Sequence, residues 1–383
     1  MINTIDFKTK TIFLDRENPC KKDVFVLGID IGYSAVKGMS PNKVFCFPSY
    51  AKKIPADRIT LREPKESDIL YRDGNSVWAV GELAYNEVNP SEVLDSEEEL
   101  FGRNRYYTSM FTVIARTAYG IGMLENQYGD FKDKHICVQT GLPPKYEKSD
   151  TPYLKDALSG HHEFELKVGK RPWIKFVVDI SENDIGVMSQ PLGSLLSVCM
   201  DSHGNQLPKA RELFSTNLIV YDPGFGTMDE YTVKHGSVTG YETFSNLGMR
   251  EIFSRTVREI QMIYGTDIQI PELQNKLEHG TIKMVDRKAM TSKSFSIAGI
   301  LEKHMTDVAE ENIKKLISVN NYFEDINVII VTGGLGDCFM DIIKERLGGF
   351  EDLKIISANE NDPSLTNVFS NVRGYYFYRA NSK

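Results

Sequence analysis

The sequence predicts an α/β protein built from two similar halves. Apolar runs of strand length alternate along the chain with longer stretches of helical spacing. One pattern occurs twice, far apart: an apolar strand that ends in Asp, a glycine-containing turn and a second strand. The length, 383 residues, also exceeds what a single core usually holds, so at least two domains are expected.

The first half opens at Val24 with "VFVLGIDIG", a turn and "SAVKGMS", which reads as a β-hairpin, and "KVFCFPSYAKKI" continues the sheet. From Asp57 to about Asn104 the composition turns polar, with a short strand pattern in "SVWAVGELA" and an acidic run, "DSEEELFG", read as a solvated face. This stretch is expected to be an inserted subdomain. "RYYTSMFTVIARTAYGIGMLE" has helical spacing, and "HICVQTGLP" reads as a buried strand stopped by Pro143 and Pro144. "EFELKVG" and "RPWIKFVVDI" alternate as the strands of a hairpin, and "PLGSLLSVCM" reads as a helix.

The second half begins with "NLIVYDPGFGTMDEYTV", which repeats the opening pattern. An amphipathic helix, "GMREIFSRTVREIQMIYG", comes next, then a polar stretch from Asp267 to Ser294 and a long helix from about Ser296 to Asn320. "NVIIVTGGLGDCFMDIIKERLG" predicts strand, glycine turn and helix, and the chain closes on a helical pattern, "SLTNVFSNVRGYYFYRA". The expected division is an extension over 1–23, a first domain over 24–212 completed by 366–383, and a second over 213–365. Insertions are expected at about 45–105 and 250–297. The extension reads as a flexible tail or as a small strand packing through Ile12, Phe13 and Leu14.

A formal charge of −8 and a pI near 5.5 argue against direct binding to nucleic acid or to an anionic membrane. The five cysteines are scattered, with no Cys-x-x-Cys spacing, and read as reduced thiols of a cytoplasmic protein. No His-Glu-x-x-His motif occurs, and the adjacent His161 and His162 point in different directions on either a strand or a helix. No segment has the length and apolarity of a signal peptide or a membrane span.

The chemistry concentrates in the repeated hairpin. Asp30-Ile-Gly32-Tyr33-Ser34-Ala-Val-Lys37 and Asp222-Pro-Gly224-Phe225-Gly226-Thr227-Met-Asp229 each put a carboxylate at a strand end before a turn whose backbone N–H groups can approach an anion. Facing each other, two such turns would clamp a polyphosphate, with Lys37 and Ser34 adding donors. The carboxylates Asp30 and Asp222 would repel a bare triphosphate, so a cation is expected between them, and magnesium suits all-oxygen ligands and water. A third turn, Thr332-Gly333-Gly334-Leu335-Gly336, joins an apolar strand to a helix and suits an adenosine or phosphate contact.

The order and form of these three segments resemble the actin superfamily, which includes actins, heat-shock chaperone ATPase domains and sugar kinases. Within it the chain is most similar to bacterial actin-like proteins of the ParM/StbA type, which segregate plasmids. The resemblance spans Val24 to Tyr378: "DIGYSAVK" and "DPGFGTMD" look like the two phosphate loops and "TGGLG" like the adenosine loop. "VMSQPLGSLLS" and "NVFSNVRGYYFY" look like the two interdomain connectors. It implies an actin-like, ribonuclease H-like fold around a nucleotide cleft. ATP, with GTP an alternative, would bind there with Mg2+ held by Asp30 and Asp222 mostly through water. Gly32, Tyr33, Ser34 and Lys37 would meet the β- and γ-phosphates from one side, and Gly224, Phe225, Gly226 and Thr227 from the other. Gly333, Gly334 and Leu335 would meet the adenosine, and Arg250 and Glu251 the nucleoside. Gln190 falls where the family carries the residue that positions the attacking water. A neutral amide orients water but is a poor base, so slow ATP hydrolysis is expected, with Asp30 and Asp222 completing the catalytic set.

The implied function is an ATP-driven filament that moves plasmid DNA, with self-association and a small DNA-binding adaptor on a centromere-like site as partners. Neither direct nucleic-acid contact nor membrane contact is expected. The alternatives are a small-molecule kinase of the same superfamily, for which Asp179 and Asp184 lie near the connector, and a chromosomal or phage cytoskeletal homologue. A chaperone ATPase would need a further substrate-binding domain.

Overall fold

The computed structural model describes residues 2–57, 62–87, 105–286 and 289–382; the acidic run at 95–102 falls outside them. Each half is organised on a sheet whose core has the same strand order. In the first, Lys43–Pro48, Ala35–Ser40 and Val24–Ile31 form an antiparallel meander, and Val24–Ile31 then pairs in parallel with His135–Leu142, which pairs in parallel with Ile185–Ser189. In the second, Ser237–Ser245, Thr227–Lys234 and Leu218–Pro223 make the meander, and Val328–Val331 and Lys354–Ser357 the parallel pair. The repeated hairpin is thus the first turn of each meander. Parallel strands buried on both faces read as continuous apolar runs, which is why "VFVLGI" and "NVIIV" stand out in the sequence.

The leading segment is not a free tail. Ile12–Asp15 adds an antiparallel edge strand beside Lys43–Pro48, the second of the two readings open to it. A further sheet in the first half orders Ile174–Ile180, Gly160–Val168, Ile69–Asp73, Ser76–Val80 and Ala51–Ile54. The hairpin after His135–Leu142 therefore joins the strands of the polar region. The helix Ser109–Met123, capped by Thr108 Oγ1 accepting from Phe111 N at 3.1 Å, lies in the core shared by both sheets.

In the second half, the stretch read only as polar folds into the helix Ile270–Lys276 and the hairpin Thr281–Asp286 with Thr291–Ser296. The long helix runs Ala298–Val319. No helix among the described residues is long and apolar enough to cross a membrane.

Lys43 shows what the added edge strand costs. Its side chain is 4% exposed, and Nζ lies 3.8 Å from Asp15 Oδ1. Burial pushes the ammonium down to about 8, and Asp15 offsets this only in part. An unfolded lysine keeps its proton to pH ~10.4, so between about 8 and ~10 the unfolded chain binds more protons and stability rises with pH. Lys43→Met keeps most of the apolar stem. The variant is expected to melt higher than the parent at pH 7, the gap closing by pH ~10 as the parent amine neutralises. Paired thermal melts across that range test this; a constant gap contradicts it.

Candidate active site

The first hairpin brings Asp30, 3% exposed, to the floor of the cleft. Lys37, its antiparallel partner, reaches across so that Nζ lies 3.2 Å from Asp30 Oδ2. Burial favours the neutral amine of Lys37, but the charge and hydrogen bond of Asp30, with Cys46 and Asp222 adding, together hold the ammonium above the ordinary lysine range. Gln190 begins the connector helix Gln190–Val198, and its Nε2 donates to Asp30 Oδ1 at 3.1 Å. Both Asp30 oxygens are therefore occupied by residues that the sequence motifs place with it.

The second hairpin faces the first. Gly224 N donates to Thr227 O at 2.8 Å, which closes the turn, and a Cβ at Gly226 would lie 3.3 Å from the Tyr33 ring. Arg250 N donates to Phe225 O at 2.8 Å, latching this turn onto the helix Met249–Tyr264. The Phe225 ring packs edge-on against Phe253, centroids 6.2 Å apart, which accounts for a bulky residue in a phosphate-type loop. Asp222 is 6% exposed; burial raises its pKa, and a hydrogen bond from Asn371 Nδ2 at 3.0 Å opposes the rise. Opposite it on the hairpin, buried Asp229 accepts from Thr243 Oγ1 at 2.6 Å and Thr227 Oγ1 at 3.1 Å, and burial pushes it up to about 7.

The third turn closes over Asp222. Gly333 has φ +79°, and a Cβ there would stand 2.1 Å from Asp222 Oδ1, so any side chain would strike the carboxylate. Leu335, in the same turn, borders the cavity and is also buried in the core of the second half.

Two connectors join the halves, Gln190–Val198 and Ser370–Asn381. They cross with backbones in contact: a Cβ at Gly374 would lie 1.8 Å from Gly193 O. From the crossing a buried chain of hydrogen bonds runs to the site. Asn371, which donates to Asp222, accepts at Oδ1 from Ser194 Oγ at 2.6 Å, and Ser194 Oγ is 2.6 Å from Thr332 Oγ1. The crossing of the connectors is therefore linked by hydrogen bonds to the Asp222 carboxylate. The sequence motifs contain all three residues but assign no role to Asn371 or Ser194 and give Thr332 only as the start of the third turn.

These elements enclose a cavity of about 540 Å³, within the usual range for a small-molecule site. Asp30, Gly32, Tyr33, Ser34, Lys37, Gln190, Asp222, Gly224, Phe225, Gly226, Thr227, Gly333, Gly334 and Leu335 all line it. Arg250 and Glu251 do not; they line an adjoining cavity, where Glu251 Oε1 accepts from Arg255 at 2.9 Å. Arg105 borders both cavities, with its guanidinium 4.7 Å above the Tyr33 ring and 2.8 Å from Ile31 O. Buried carboxylates converging with a lysine, plus a glycine whose Cβ position is filled by Asp222, form a donor set that fits a magnesium-bound polyphosphate.

Asp179 and Asp184, the candidate bases of a small-molecule kinase, do not line the cavity; they bond His161 and His135, each at 2.8 Å. His162, by contrast, is buried and bonds Leu158 O, so the adjacent histidines do diverge. All five cysteines are free. Cys137 lies close to His135 and Asp184, with potential ligand atoms within 4.8 Å of one another, a grouping that spacing alone does not show.

Two halves of one topology, joined by crossed connectors, with Asp-ended hairpins facing each other over a cleft, define the class: the fold is actin-like. The family described as "Actin like proteins N terminal domain" matches residues 28–193. A 15-stranded ParM filament from Clostridium botulinum is similar in structure, with TM-score 0.69 at 19% identity over 93% of this chain and 99% of that one. A non-polymerisable quadruple mutant of pCBH ParM gives 0.69 at 20% identity, covering 93% and 98%. The archaeal actin homolog Ta0583, in complex with ADP, gives 0.61 at 14% identity, covering 94% and 100%. The search of curated protein sequences returned no match.

Proposed function

We propose that this chain is a nucleotide-dependent, filament-forming ATPase of the ParM type that segregates plasmid DNA. The observation that carries the reading is the convergence of Asp30, Asp222 and Lys37, supplied by equivalent hairpins of the two halves, on one cavity. Asp30 and Asp222 would hold Mg2+ through its waters, and the ion would neutralise phosphate charge. Lys37 supplies a permanent cation on the same side, and the backbone N–H groups of both turns offer donors to the phosphates. Gln190 acts by orientation. Its Nε2 is committed to Asp30, which leaves the amide oxygen to accept from an attacking water.

Because Asp222 is tied through Asn371 and Ser194 to both connectors, a change in charge at the cleft acts directly on the hinge. The filament is the readout of that hinge. Filament-forming structures with this fold support the reading, as does an acidic chain that would meet DNA through a basic adaptor.

Light scattering with phosphate release followed in the same sample tests it. With Mg-ATP, scattering is expected to rise and then decay as phosphate appears. Gln190→Ala is expected to slow phosphate release by about 10–100-fold and to lengthen polymer lifetime accordingly. Scattering that stays flat with ATP, GTP, ADP and no nucleotide alike contradicts the proposal.

A further inference from the structure

The leading segment does more than edge a sheet: it is anchored to both halves. Its short helix Thr4–Phe7 sits on the second half, where Thr4 Oγ1 donates to Leu277 O at 2.7 Å and Phe7 is buried in the core. Thr9 N donates to Gln274 Oε1, also of the second half, at 3.2 Å. Two residues on, Thr11 N donates to Glu82 Oε1 of the first half at 2.6 Å, and Ile12–Asp15 joins that half's sheet. Lys8 bridges the two, its Nζ 2.8 Å from Glu278 and 3.6 Å from Glu82, with its side chain only 10% exposed. Between the anchors, Asp6 to Lys10 and Ile12 form part of the wall of the cavity that Asp30 and Asp222 border.

Chain length turns these contacts into a constraint. From Thr9 to Thr11 an extended chain spans at most ~7 Å, so the two anchors cannot separate by several ångströms unless one lets go. The first-half anchor is the stronger. Beyond the strand ladder, Asn18 Nδ2 donates to Ser40 O at 2.7 Å and Arg16 Nη2 to Ser202 O at 3.3 Å. Release therefore occurs at the second half, where one short helix, one buried ring and the Lys8 and Thr9 contacts hold the segment.

We infer that residues 4–11 are a strap that latches the cleft shut, and that nucleotide exchange requires the strap to leave the second half. The inference rests on the proposal that the cleft holds a nucleotide. A strap that bridges both halves contributes its contacts only in the closed state, so it slows release of a bound ligand more than it alters capture.

The test uses the full chain loaded with a fluorescent ATP analogue and Mg2+, chased with excess ATP. Lys8→Ala and Phe7→Ala are compared with Lys132→Ala, whose exposed pair with Glu125 touches neither strap nor cleft. Lys8→Ala is expected to speed dissociation about five- to tenfold, the size of one or two part-buried polar contacts, with little change in association and none in the control. Hydrogen exchange on the unmodified chain supplies a readout independent of folding in the variants: the amides of Thr9 and Thr11 are expected to exchange more slowly with nucleotide bound. Unchanged dissociation together with nucleotide-independent exchange overturns the strap alone. Failure of the unmodified chain to bind the analogue overturns the nucleotide reading and the strap with it.

Discussion

Replacing Arg373 with methionine is expected to cost about 3–5 kcal/mol, a large part of the ~5–15 kcal/mol that a folded chain typically has. Arg373 is 1% exposed on the final helix and serves the end of the other connector. Its Nη1 donates to Ser197 O and Ser197 Oγ, both at 2.7 Å, and its Nη2 to Met200 O at 2.9 Å and Asp201 O at 2.6 Å. These carbonyls lie at and just beyond the C-terminus of Gln190–Val198, where a helix has no partners of its own to offer. Burial lowers the guanidinium to about 10, with Asp362 opposing, so the charge persists at neutral pH. Methionine fills the volume but removes all four bonds, so that Ser197 O and Asp201 O keep only their backbone donors Met200 N and Gly204 N, and it leaves buried Asp362 with Arg16 as its remaining cation, 3.0 Å away. Lysine cannot reproduce the fork and is expected to recover only part of the loss. Urea unfolding midpoints test this; a midpoint for the methionine variant equal to the parent's contradicts it.

Asp222→Asn is expected to separate activity from stability. Phosphate release with Mg-ATP should fall by about 10²–10³-fold, because the amide carries no charge to hold the cation. Folding should be unharmed or improved. Burial raises the Asp222 pKa, so as pH rises past ~4 the unfolded chain sheds this proton first and stability falls; asparagine removes that penalty while still accepting from Asn371. Phosphate release and thermal melts at pH 7 on the same preparation decide it. Undiminished release would remove Asp222 from the cation site, and a lower melting point would show the carboxylate to be structural.

What is legible in the sequence is local. An apolar strand closed by Asp and a glycine turn is a pattern of about eight residues, and each half carries one, so the pattern alone pairs Asp30 with Asp222. Leu335 lines the cavity and is also part of the second core, a packing role that its place in a glycine turn does not reveal. The bond from Asn371 to Asp222 joins residues 149 apart in sequence, and no spacing rule reaches across that distance. The helix Pro144–Leu158 is hidden in the sequence because only Pro144, Asp150, Leu154 and Leu158 are buried, too thin a stripe to show periodicity. In the hairpin of Thr281–Asp286 with Thr291–Ser296 only Ile282 is buried among the described residues, too little apolar alternation to mark two strands in a polar stretch. The edge strand Ile12–Asp15 is four residues long, and its pairing depends on a partner strand that it cannot itself predict.

Equilibrium binding of ATP to the purified chain by calorimetry, once with magnesium and once with a chelator, tests the central claim most directly. One nucleotide per chain is expected, with affinity falling at least ~10-fold when magnesium is removed, because Asp30 and Asp222 would then face bare phosphates. Equal affinity without magnesium, or no binding under either condition, would contradict it.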